Sequence, residues 1–438
     1  MKLAFVIQRY GADVLGGSEQ LCRLLAERLA TQHEVDVLTT CARDYITWKN
    51  EYPEGTDRVK GVTVRRFAST RTRELDAFNK YSDWIFNHAH TSQDEMEWLK
   101  QQGPWCPALI EHLKRHHQQY DVLVFFTYLY ATTVLGLEVN PGRSILVSTA
   151  HDEPAIHLGI YKDVFTKPAA IFYLTDAERQ FVQQQFPDRP LLEELVGVGI
   201  DIPQQQPYPR MPERVDDEAA PTADDGGGET ASSETQAAEP GAREFPSHLT
   251  SRGAVFRRRH RLHGPFALYG GRIDPGKGCE ELLQYFSTYV GEGGDAALVL
   301  MGAKLMALPE DPAVRFAGLL SDSERIQALE AASVVVCPSP YESLSLLALE
   351  ALAVGTPVLV NARSEVLVEH CVRSNGGLWY ANRDEFVECL KLLVADPRLR
   401  AAMGRNGRDY VRKNYRWDVV LGKFERTFAK VRNAPART

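Results

Sequence analysis

Short apolar runs alternate with amphipathic segments along the first two hundred residues. Five short segments are predicted to be strands: residues 2–8, 34–39, 62–67, 121–126 and 144–149, of which the last two have the composition of buried strands. Between the first two, residues 18–31 carry leucines at helical spacing. Strands that alternate with helices predict a parallel sheet with helices on both faces. Ligands of such sheets bind beyond the carboxyl ends of the strands, so functional residues are expected in the loops that follow strands.

The same alternation restarts near residue 265. Predicted strands lie at residues 265–270, 296–301, 333–337 and 357–360. Predicted helices lie at residues 279–290, 321–331, 344–354, 384–394, 398–414 and 419–431. The chain is therefore expected to form two doubly wound α/β domains that face each other across a cleft, at residues 1–202 and 251–415. A last helix within residues 416–438 is expected to pack back toward the N-terminal domain.

The composition breaks between these domains, at residues 203–250. Large apolar residues are scarce there, so burial cannot offset the entropy of ordering, and a disordered acidic linker insert is predicted. Residues 211–245 hold ten acids and two arginines, which gives −8, the net charge of the whole chain. The remainder is neutral, which argues against broad nucleic-acid binding. An acidic docking segment is the alternative. The basic run at 257–261 is predicted to be a solvated helix face paired with the insert, and binding of phosphate or anionic lipid is the alternative.

Cysteine usage and hydropathy indicate a cytoplasmic protein. The chain has seven cysteines at wide spacings without a Cys-x-x-Cys pair, which argues against a disulfide framework or a zinc site. The longest uncharged run, residues 122–137, is shorter than the roughly 20 residues of a spanning helix. No signal peptide is recognised at the N-terminus. An integral membrane segment is not expected, while peripheral contact with the inner membrane surface is left open.

A glycine-rich loop with two cations follows the first predicted strand of the second domain. It runs from Tyr269 to Gly278, and Gly271 permits close approach of the backbone to a ligand. Arg272 offers a planar fork of donors and Lys277 a point charge, which together suit a diphosphate. A turn that carries two solvated cations is the alternative.

Two glutamates mark the segment after the strand at 333–337. Glu342 lies in the predicted loop and Glu350 two turns into the predicted helix 344–354, where both could accept hydrogen bonds from sugar hydroxyls. The free N–H groups at the start of this helix could bind an anion. Glu350 lies among apolar residues, so it needs a ligand or an internal partner. A solvated Glu342 and an internally capped Glu350 are the alternative.

These motifs together resemble the retaining family-4 glycosyltransferases of the GT-B fold, which has two Rossmann-like domains. The glutamate pair before Glu-Ala-Leu-Ala-x-Gly-x-Pro-Val is similar to that family's hallmark, and residues 271–278 match its Gly-Arg-x-x-x-x-Lys-Gly loop. Further similarities are the Gly-Gly-x-Glu loop at residues 16–19, the strand-end histidine His151 and the Gly-Val-Gly-Ile-Asp stretch at residues 197–201. The resemblance covers both halves of the chain in the same order and omits only the acidic insert.

The resemblance implies a role for each matched residue. Glu342, His151, Arg272 and Lys277 would form the catalytic set, with the two cations on the donor diphosphate and His151 opposite them. Glu350 would bind the ribose of the donor. Donor contacts are also implied for Gly16, Gly17, Gly271, Gly318, Leu319, Ser343, Leu344, Ser345 and Leu346. Glu19 could instead simply favour the first turn of a helix through its dipole.

One departure from the family pattern affects the donor sugar pocket. The family commonly has Glu-Gly-Phe-Gly where this chain has Glu342, Ser343, Leu344 and Ser345. Two glycines are replaced by serines, so two hydroxyl groups and two Cβ atoms enter the pocket. The acid and the helix N-terminus remain, while the usual sugar contacts are put in doubt.

The implied reaction moves a sugar from a UDP- or GDP-sugar to a hydroxyl acceptor with retention of anomeric configuration. The acceptor would be a glycan, a lipid-linked molecule or a small molecule. No Asp-x-Asp stands at a predicted strand end, so neither a catalytic metal nor a cofactor is expected beyond the donor substrate. Two alternatives remain: a sugar phosphorylase, for which no pyridoxal phosphate lysine motif is apparent, and a non-catalytic nucleotide-sugar sensor or scaffold.

Overall fold

The computed structural model describes residues 1–14, 16–190, 192–201 and 251–434. The predicted acidic linker at residues 203–250 lies outside the described residues.

The N-terminal domain is built on an eight-stranded sheet with the strand order β3-β4-β2-β1-β5-β6-β7-β8. The strands are β1 (Lys2–Val6), β2 (Glu34–Thr40), β3 (Gly55–Val59), β4 (Val62–Phe67), β5 (Val122–Phe126), β6 (Ser144–Val147), β7 (Ala170–Tyr173) and β8 (Glu193–Leu195). All neighbours pair in parallel except β3 and β4, which pair antiparallel. The helices are α1 (Gly17–Leu29), α2 (Leu75–Asn87), α3 (Ser92–Gln102), α4 (Pro107–His116), α5 (Ala131–Leu137), α6 (Lys162–Thr166) and α7 (Asp176–Gln185).

The C-terminal domain contains a six-stranded parallel sheet with the order β11-β10-β9-β12-β13-β14. Its strands are β9 (Phe266–Gly270), β10 (Ala297–Met301), β11 (Val314–Gly318), β12 (Val334–Cys337), β13 (Val358–Asn361) and β14 (Gly377–Tyr380). Its helices are α8 (Ser251–Arg259), α9 (Cys279–Gly291), α10 (Asp322–Ala331), α11 (Leu346–Val354), α12 (Glu365–Ser374), α13 (Arg383–Ala395) and α14 (Pro397–Asn414), followed by α15 (Trp417–Asn433).

The central strands of both sheets are buried on both faces, which explains their continuous apolar sequences. Every residue of β5 and β12 is buried, as expected for parallel strands covered by helices on each side. Two such sheets confirm the predicted fold class. The antiparallel edge strand β3 was not predicted, because four of its five residues are exposed and its sequence lacks an apolar alternation.

The basic run at residues 257–261 differs from the prediction. Arg257 is only 7% exposed, so the predicted solvated helix face is wrong at this residue. Its guanidinium lies over the Phe266 ring at 4.9 Å and donates to the carbonyl oxygens of Ala331, at 2.7 Å from Nη2, and Gly264, at 2.7 Å. Burial is therefore accompanied by hydrogen bonds to backbone carbonyls.

Helix α15 follows the C-terminal domain in the chain and packs on the N-terminal sheet. Phe424 and Phe428 lie fully buried against Phe172 of β7, with ring centroids 4.7 and 6.3 Å away. Lys423 donates to the carbonyl oxygen of Leu195 at 2.7 Å. This helix therefore ties the two domains together. Among the helices of the described ranges, none combines the length and the apolar character that a membrane crossing requires.

Candidate active site

The two domains approach each other at the carboxyl ends of their strands. His151 follows β6, and its ring lies 6.0 Å from the ring of Tyr341, which follows β12. Arg272 follows β9, and its guanidinium lies 4.8 Å from the ring centre of Tyr45, which follows β2. His151 and Arg272, which were both predicted site residues, therefore each lie beside a residue of the other domain at the cleft.

The glycine-rich loop is folded so that Lys277 reaches Glu342. Asp274 caps a short turn by accepting a hydrogen bond from the backbone N–H of Lys277 at 2.9 Å. Gly278 has φ +74°, and a Cβ there would lie 2.4 Å from the carbonyl oxygen of Pro338. This close approach brings the Lys277 Nζ within 2.8 Å of a Glu342 carboxylate oxygen. Glu342 is therefore paired rather than freely solvated.

Helix α11 begins at Leu346, two residues later than predicted. Ser345 adopts φ +64° and its hydroxyl accepts a hydrogen bond from the N–H of Ala348, so it is the N-cap. Leu344 and Ser345 thus precede the helix, and Glu350 lies one turn into it instead of two. Leu344 is held by its carbonyl oxygen, 2.8 Å from Nε2 of His370.

Glu350 borders a cavity that reaches both domains. The cavity has a volume of about 320 Å³ and is lined by Gln20, Arg23 and Leu24 of α1 as well as by Arg325, Leu346 and Glu350. Glu350 is 9% exposed and pairs with Arg325 at 3.1 Å. Burial raises the pKa of Glu350 to about 7, and Arg325 opposes that rise. Arg325 is therefore the internal partner that a buried Glu350 was expected to need.

Glu178 of α7 holds the loop that carries His151 through hydrogen bonds. The buried Glu178 carboxylate accepts hydrogen bonds from the Ser148 hydroxyl, the N–H of Ala150 at 2.8 Å and the N–H of Leu174 at 2.6 Å. Burial raises the pKa of Glu178 to about 7, while these hydrogen bonds lower it. Glu178 was missed in the sequence, because only the fold brings it next to residues about thirty positions away.

His151 itself has one free ring nitrogen. Its Nε2 lies 3.6 Å from a Glu153 carboxylate oxygen, and its Nδ1 is buried without a hydrogen-bond partner. Glu153 in turn accepts a hydrogen bond from the Tyr128 hydroxyl. The pair with Glu153 orients the ring in the cleft.

The Gly-Gly-x-Glu loop is organised by Glu19, which is buried. Its carboxylate accepts hydrogen bonds from Gln8 at 3.0 Å and from Nε of Arg9 at 3.0 Å. A Cβ at Gly16 would lie 2.0 Å from a Glu19 carboxylate oxygen, so a side chain there would displace that carboxylate. A Cβ at Gly17 would meet no atom within 4 Å.

Gly318 ends β11 and Leu319 follows it; the Gly318 carbonyl oxygen accepts a hydrogen bond from the N–H of Gly302 at 2.8 Å. Leu319 is exposed, and neither residue lines the cavity beside Glu350. Ser343 contacts the N-terminal domain, because its carbonyl oxygen lies 3.4 Å from the Thr175 hydroxyl.

Comparison with known families supports the resemblance seen in the sequence. Residues 255–410 match the family model described as glycosyl transferases group 1. A GDP-mannose-dependent monoacylated alpha-(1-6)-phosphatidylinositol monomannoside mannosyltransferase of Corynebacterium glutamicum is 27% identical over 172 residues, which are 36% of this chain and 45% of that protein. A trehalose synthase of Rubrobacter xylanophilus is 28% identical over 184 residues, 38% of this chain and 44% of that protein. The chain thus spans less than half the length of these curated relatives.

Solved structures resemble the chain over almost its full length. Anabaena HepE, in complex with UDP-glucose, matches with a TM-score of 0.66 and 14% identity and covers 98% of this chain and 100% of its own. Sucrose-phosphate synthase of Thermosynechococcus elongatus matches with a TM-score of 0.64 and 17% identity, with 98% of each chain covered.

The fold and the cleft define the class of protein as a GT-B type with two parallel sheets. Within it, residues 255–410 are similar to the glycosyl transferases group 1 family. The predicted resemblance to this group is confirmed. Membership of family 4 and retention of configuration stay predictions.

Proposed function

We propose that this chain transfers a sugar from a UDP- or GDP-sugar to a hydroxyl acceptor, with retention of configuration and without a metal ion or cofactor. The observation that carries the proposal is the convergence of Arg272, Lys277 and Glu342 on one side of the cleft, opposite His151. The cavity beside Glu350 adds room for the nucleoside. The relative that uses GDP-mannose and the neighbour bound to UDP-glucose support a nucleotide-sugar donor.

In this proposal the two cations bind the diphosphate. Arg272 would hold it with a fork of donors and Lys277 with a point charge, and both would stabilise the negative charge that develops as the nucleotide leaves. Lys277 is paired with Glu342 in the free protein, so donor binding would redistribute that pair. Glu342 could then accept hydrogen bonds from hydroxyls of the donor sugar.

The remaining residues would complete the donor site. Glu350 would bind the ribose, and the backbone around Ser343 and Ser345 would contact the sugar and the phosphate. His151 would meet the sugar from the other wall, using the ring nitrogen Nδ1 that lacks a partner. The acceptor oxygen would form the new bond to the anomeric carbon as the bond to the leaving phosphate oxygen breaks, and that phosphate oxygen would take the acceptor proton.

The direct test is a calorimetric titration with UDP, GDP, ADP and CDP. We expect one nucleotide to bind with micromolar affinity, about −8 kcal/mol, and Arg272→Ala to weaken that binding at least tenfold. Arg383→Ala is the matched control, because Arg383 is exposed in α13 and, among the described residues, forms an ion pair only with its neighbour Asp384. Failure of all four nucleotides to bind would refute the donor site and favour a scaffold.

A second measurement separates catalysis from binding. Glu342→Gln is expected to keep the nucleotide bound and to lose most of the sugar transfer, because the charge of the acid at the donor sugar is removed. A variant that transfers sugar at the wild-type rate would contradict the role of Glu342. Product formation that depends on added orthophosphate would instead indicate a phosphorylase.

The name of one relative also supports a proposal about where in the cell the protein acts. The acceptor in the name of the Corynebacterium enzyme is a phosphatidylinositol mannoside, which is a lipid. We extend the proposal to a cytoplasmic protein that contacts the inner membrane surface when its acceptor is lipid-linked.

A further inference from the structure

Side chains from four loops form one cluster on the N-terminal wall of the cleft. The Arg73 cluster consists of Arg9, Tyr45, Trp48, Arg73 and Tyr130. These residues follow strands β1, β2, β4 and β5, so they all lie beyond the carboxyl ends of parallel strands. This edge of a doubly wound sheet is where ligands bind. None of the donor residues predicted above belongs to the cluster.

Arg73 is held in place mainly by aromatic rings. Its guanidinium lies 4.9 Å from the ring centre of Trp48 and 5.1 Å from that of Phe78. Nη2 donates to the carbonyl oxygen of Tyr45 at 2.7 Å. Trp48 also packs edge-on against Tyr130, with ring centroids 5.4 Å apart. The cation therefore has a fixed position at the cleft wall.

Arg73 lies beyond ion-pair distance of the described carboxylates, although the charge of Asp44 still acts on it. Arg9 forms an ion pair with Glu19, whereas Arg73 forms none with any residue that the structure describes. Its Nε is buried and has no hydrogen-bond partner. Because an arginine stays charged at any physiological pH, this arrangement leaves a partly buried cation with unused donors.

Structural arginines elsewhere in the chain are satisfied differently. The guanidinium of Arg257 also lies over an aromatic ring, yet it donates to the carbonyl oxygens of both Ala331 and Gly264. The Nε of the buried Arg66 also lacks a partner, but its guanidinium pairs with Asp57 at 2.8 Å and donates to the carbonyl oxygen of Tyr10. The guanidinium of Arg73 has a single hydrogen bond to the described residues and no ion pair with them, so packing alone does not account for its placement.

The backbone at Trp48 gives an independent indication of function. Trp48 has φ +59°, a left-handed conformation that is unfavourable for a bulky side chain. Its indole N–H donates to the carbonyl oxygen of Gln102 at 2.7 Å, which helps to hold this conformation. Such strained residues gather at ligand sites, where the surrounding structure maintains them.

The cluster lies next to the proposed reaction centre on two sides. The ring of Tyr45 is also contacted by Arg272, at 4.8 Å from the guanidinium. On the other side, the charge of Glu153, which pairs with His151, contributes to the raised pKa of Tyr130, although burial is the main cause. A molecule that rests on Tyr45 and Tyr130 would therefore lie between the donor phosphates and His151.

We propose that the acceptor of this enzyme carries an oxyanion, a phosphate or a carboxylate, which Arg73 binds while Tyr45 and Tyr130 contact the rest of the molecule. This inference rests on the proposed function and names the class of its acceptor. The planar guanidinium with free donors matches the two oxygens of such a group. The buried ring of Trp48 packs against the Arg73 guanidinium and supports it.

The test compares charged and neutral sugars as probes. Binding of glucose 6-phosphate, glucuronate and glucose is measured by ligand-observed NMR, with and without saturating UDP. The wild-type chain is expected to bind at least one of the two anionic probes at least tenfold more tightly than glucose. Preference for glucose 6-phosphate alone would indicate a phosphate, and preference for glucuronate alone a carboxylate.

Variants of Arg73 show whether this residue causes the tighter binding of the anionic probes. Arg73→Met keeps the packing against Trp48 and Phe78 and is expected to abolish the preference for the anion, with UDP affinity unchanged. Arg73→Lys retains a cation and is expected to keep most of the preference, which also covers the case that the methionine variant does not fold. Arg71→Met is the matched control, because the exposed Arg71 pairs with Glu97 on the surface.

Three results would overturn the inference: equal binding of glucose and of both anions, absence of binding by both anionic probes, or an Arg73→Met variant that folds and keeps the preference. Failure of UDP to bind would instead count against the proposed function. The measurements without UDP still report on Arg73 in that case, so the two failures can be told apart.

Discussion

At the scale of single residues, four carboxylates near the cleft have different electrostatic surroundings. Glu19 pairs with Arg9 and Glu342 with Lys277. Glu178 is fully buried and is supplied with hydrogen bonds from N–H groups and a hydroxyl, whereas Glu350 borders a cavity and has Arg325 as its ion-pair partner. Glu350 is thus the one of the four whose protonation a ligand in that cavity would influence directly.

The raised pKa of Glu350 predicts a pH dependence of nucleotide binding. Ribose hydroxyls would donate hydrogen bonds to the ionised carboxylate, so binding should favour the deprotonated form. With a pKa of about 7, the ionised fraction falls about tenfold between pH 8 and pH 6, and nucleotide affinity should fall by a similar factor. Calorimetry at the two pH values measures this change.

Glu350→Gln is the control for this prediction, since the nucleotide phosphates titrate equally with both proteins. The variant should bind more weakly at pH 8 and lose the part of the pH dependence that exceeds the titration of the nucleotide. An identical pH profile in both proteins would exclude Glu350 from the site.

The contribution of Glu350 to the free energy of unfolding has the opposite pH dependence. It is fully present below about pH 4.5, where the acid is neutral, and is lost as the pH rises through about 7.

At the scale of elements, the site depends on how strands pass into loops. Non-glycine residues with positive φ follow several strands at the cleft, among them Trp48, Thr127, Thr149 and Ser345. The central strands of both sheets and the position of the glycine-rich loop could be predicted from local periodicity, whereas β3, β7, β8 and β14 were not predicted. The start of α11 could not, because it depends on the left-handed conformation of Ser345, which no periodicity encodes.

The contact of Gly278 with the Pro338 loop gives a prediction at this scale. In Gly278→Ala the left-handed conformation costs about 1–2 kcal/mol, and the new Cβ also pushes against the Pro338 carbonyl oxygen. We expect the free energy of unfolding to fall by more than this, and nucleotide affinity to fall as well, since Lys277 is displaced from Glu342. Urea unfolding and calorimetry measure the two effects.

Gly293→Ala separates the two causes in Gly278→Ala. Gly293 has φ +87°, and a Cβ there meets no atom within 4 Å, so only the backbone cost applies. Its free energy of unfolding should fall by about 1–2 kcal/mol, with unchanged nucleotide affinity. Equal losses of stability and affinity in both variants would show that the contact with Pro338 does not matter.

At the scale of the whole molecule, helix α15 connects the end of the chain to the domain where it began. Phe424 of this helix is fully buried and packs edge-on against Phe172. The backbone N–H of Ile200 also donates to the carbonyl oxygen of Tyr415 at 2.7 Å, near the point where the N-terminal domain ends. These contacts hold the two domains together near the end of the N-terminal domain.

Removal of the Phe424 ring should therefore destabilise the N-terminal domain. Phe424→Ala is expected to lower the free energy of unfolding by about 3–5 kcal/mol in urea, because it leaves a cavity against the sheet. Val419→Ala on the same helix is the control, since Val419 is 36% exposed and should change stability by no more than about 0.5 kcal/mol. Similar losses in the two variants would contradict the anchoring role of α15.

The sequence alone determined the two parallel sheets and the loops that carry the charged motifs, because hydrophobic periodicity and glycine spacing are local properties of the chain. Tertiary structure decided which side chains meet: Lys277 with Glu342, Glu350 with Arg325, and Arg73 with rings from other loops. These pairs are far apart in sequence and meet because parallel strands place their carboxyl ends at one edge of a sheet and two such edges face each other. The burial of Arg257 has the same origin, since its partners come from other elements.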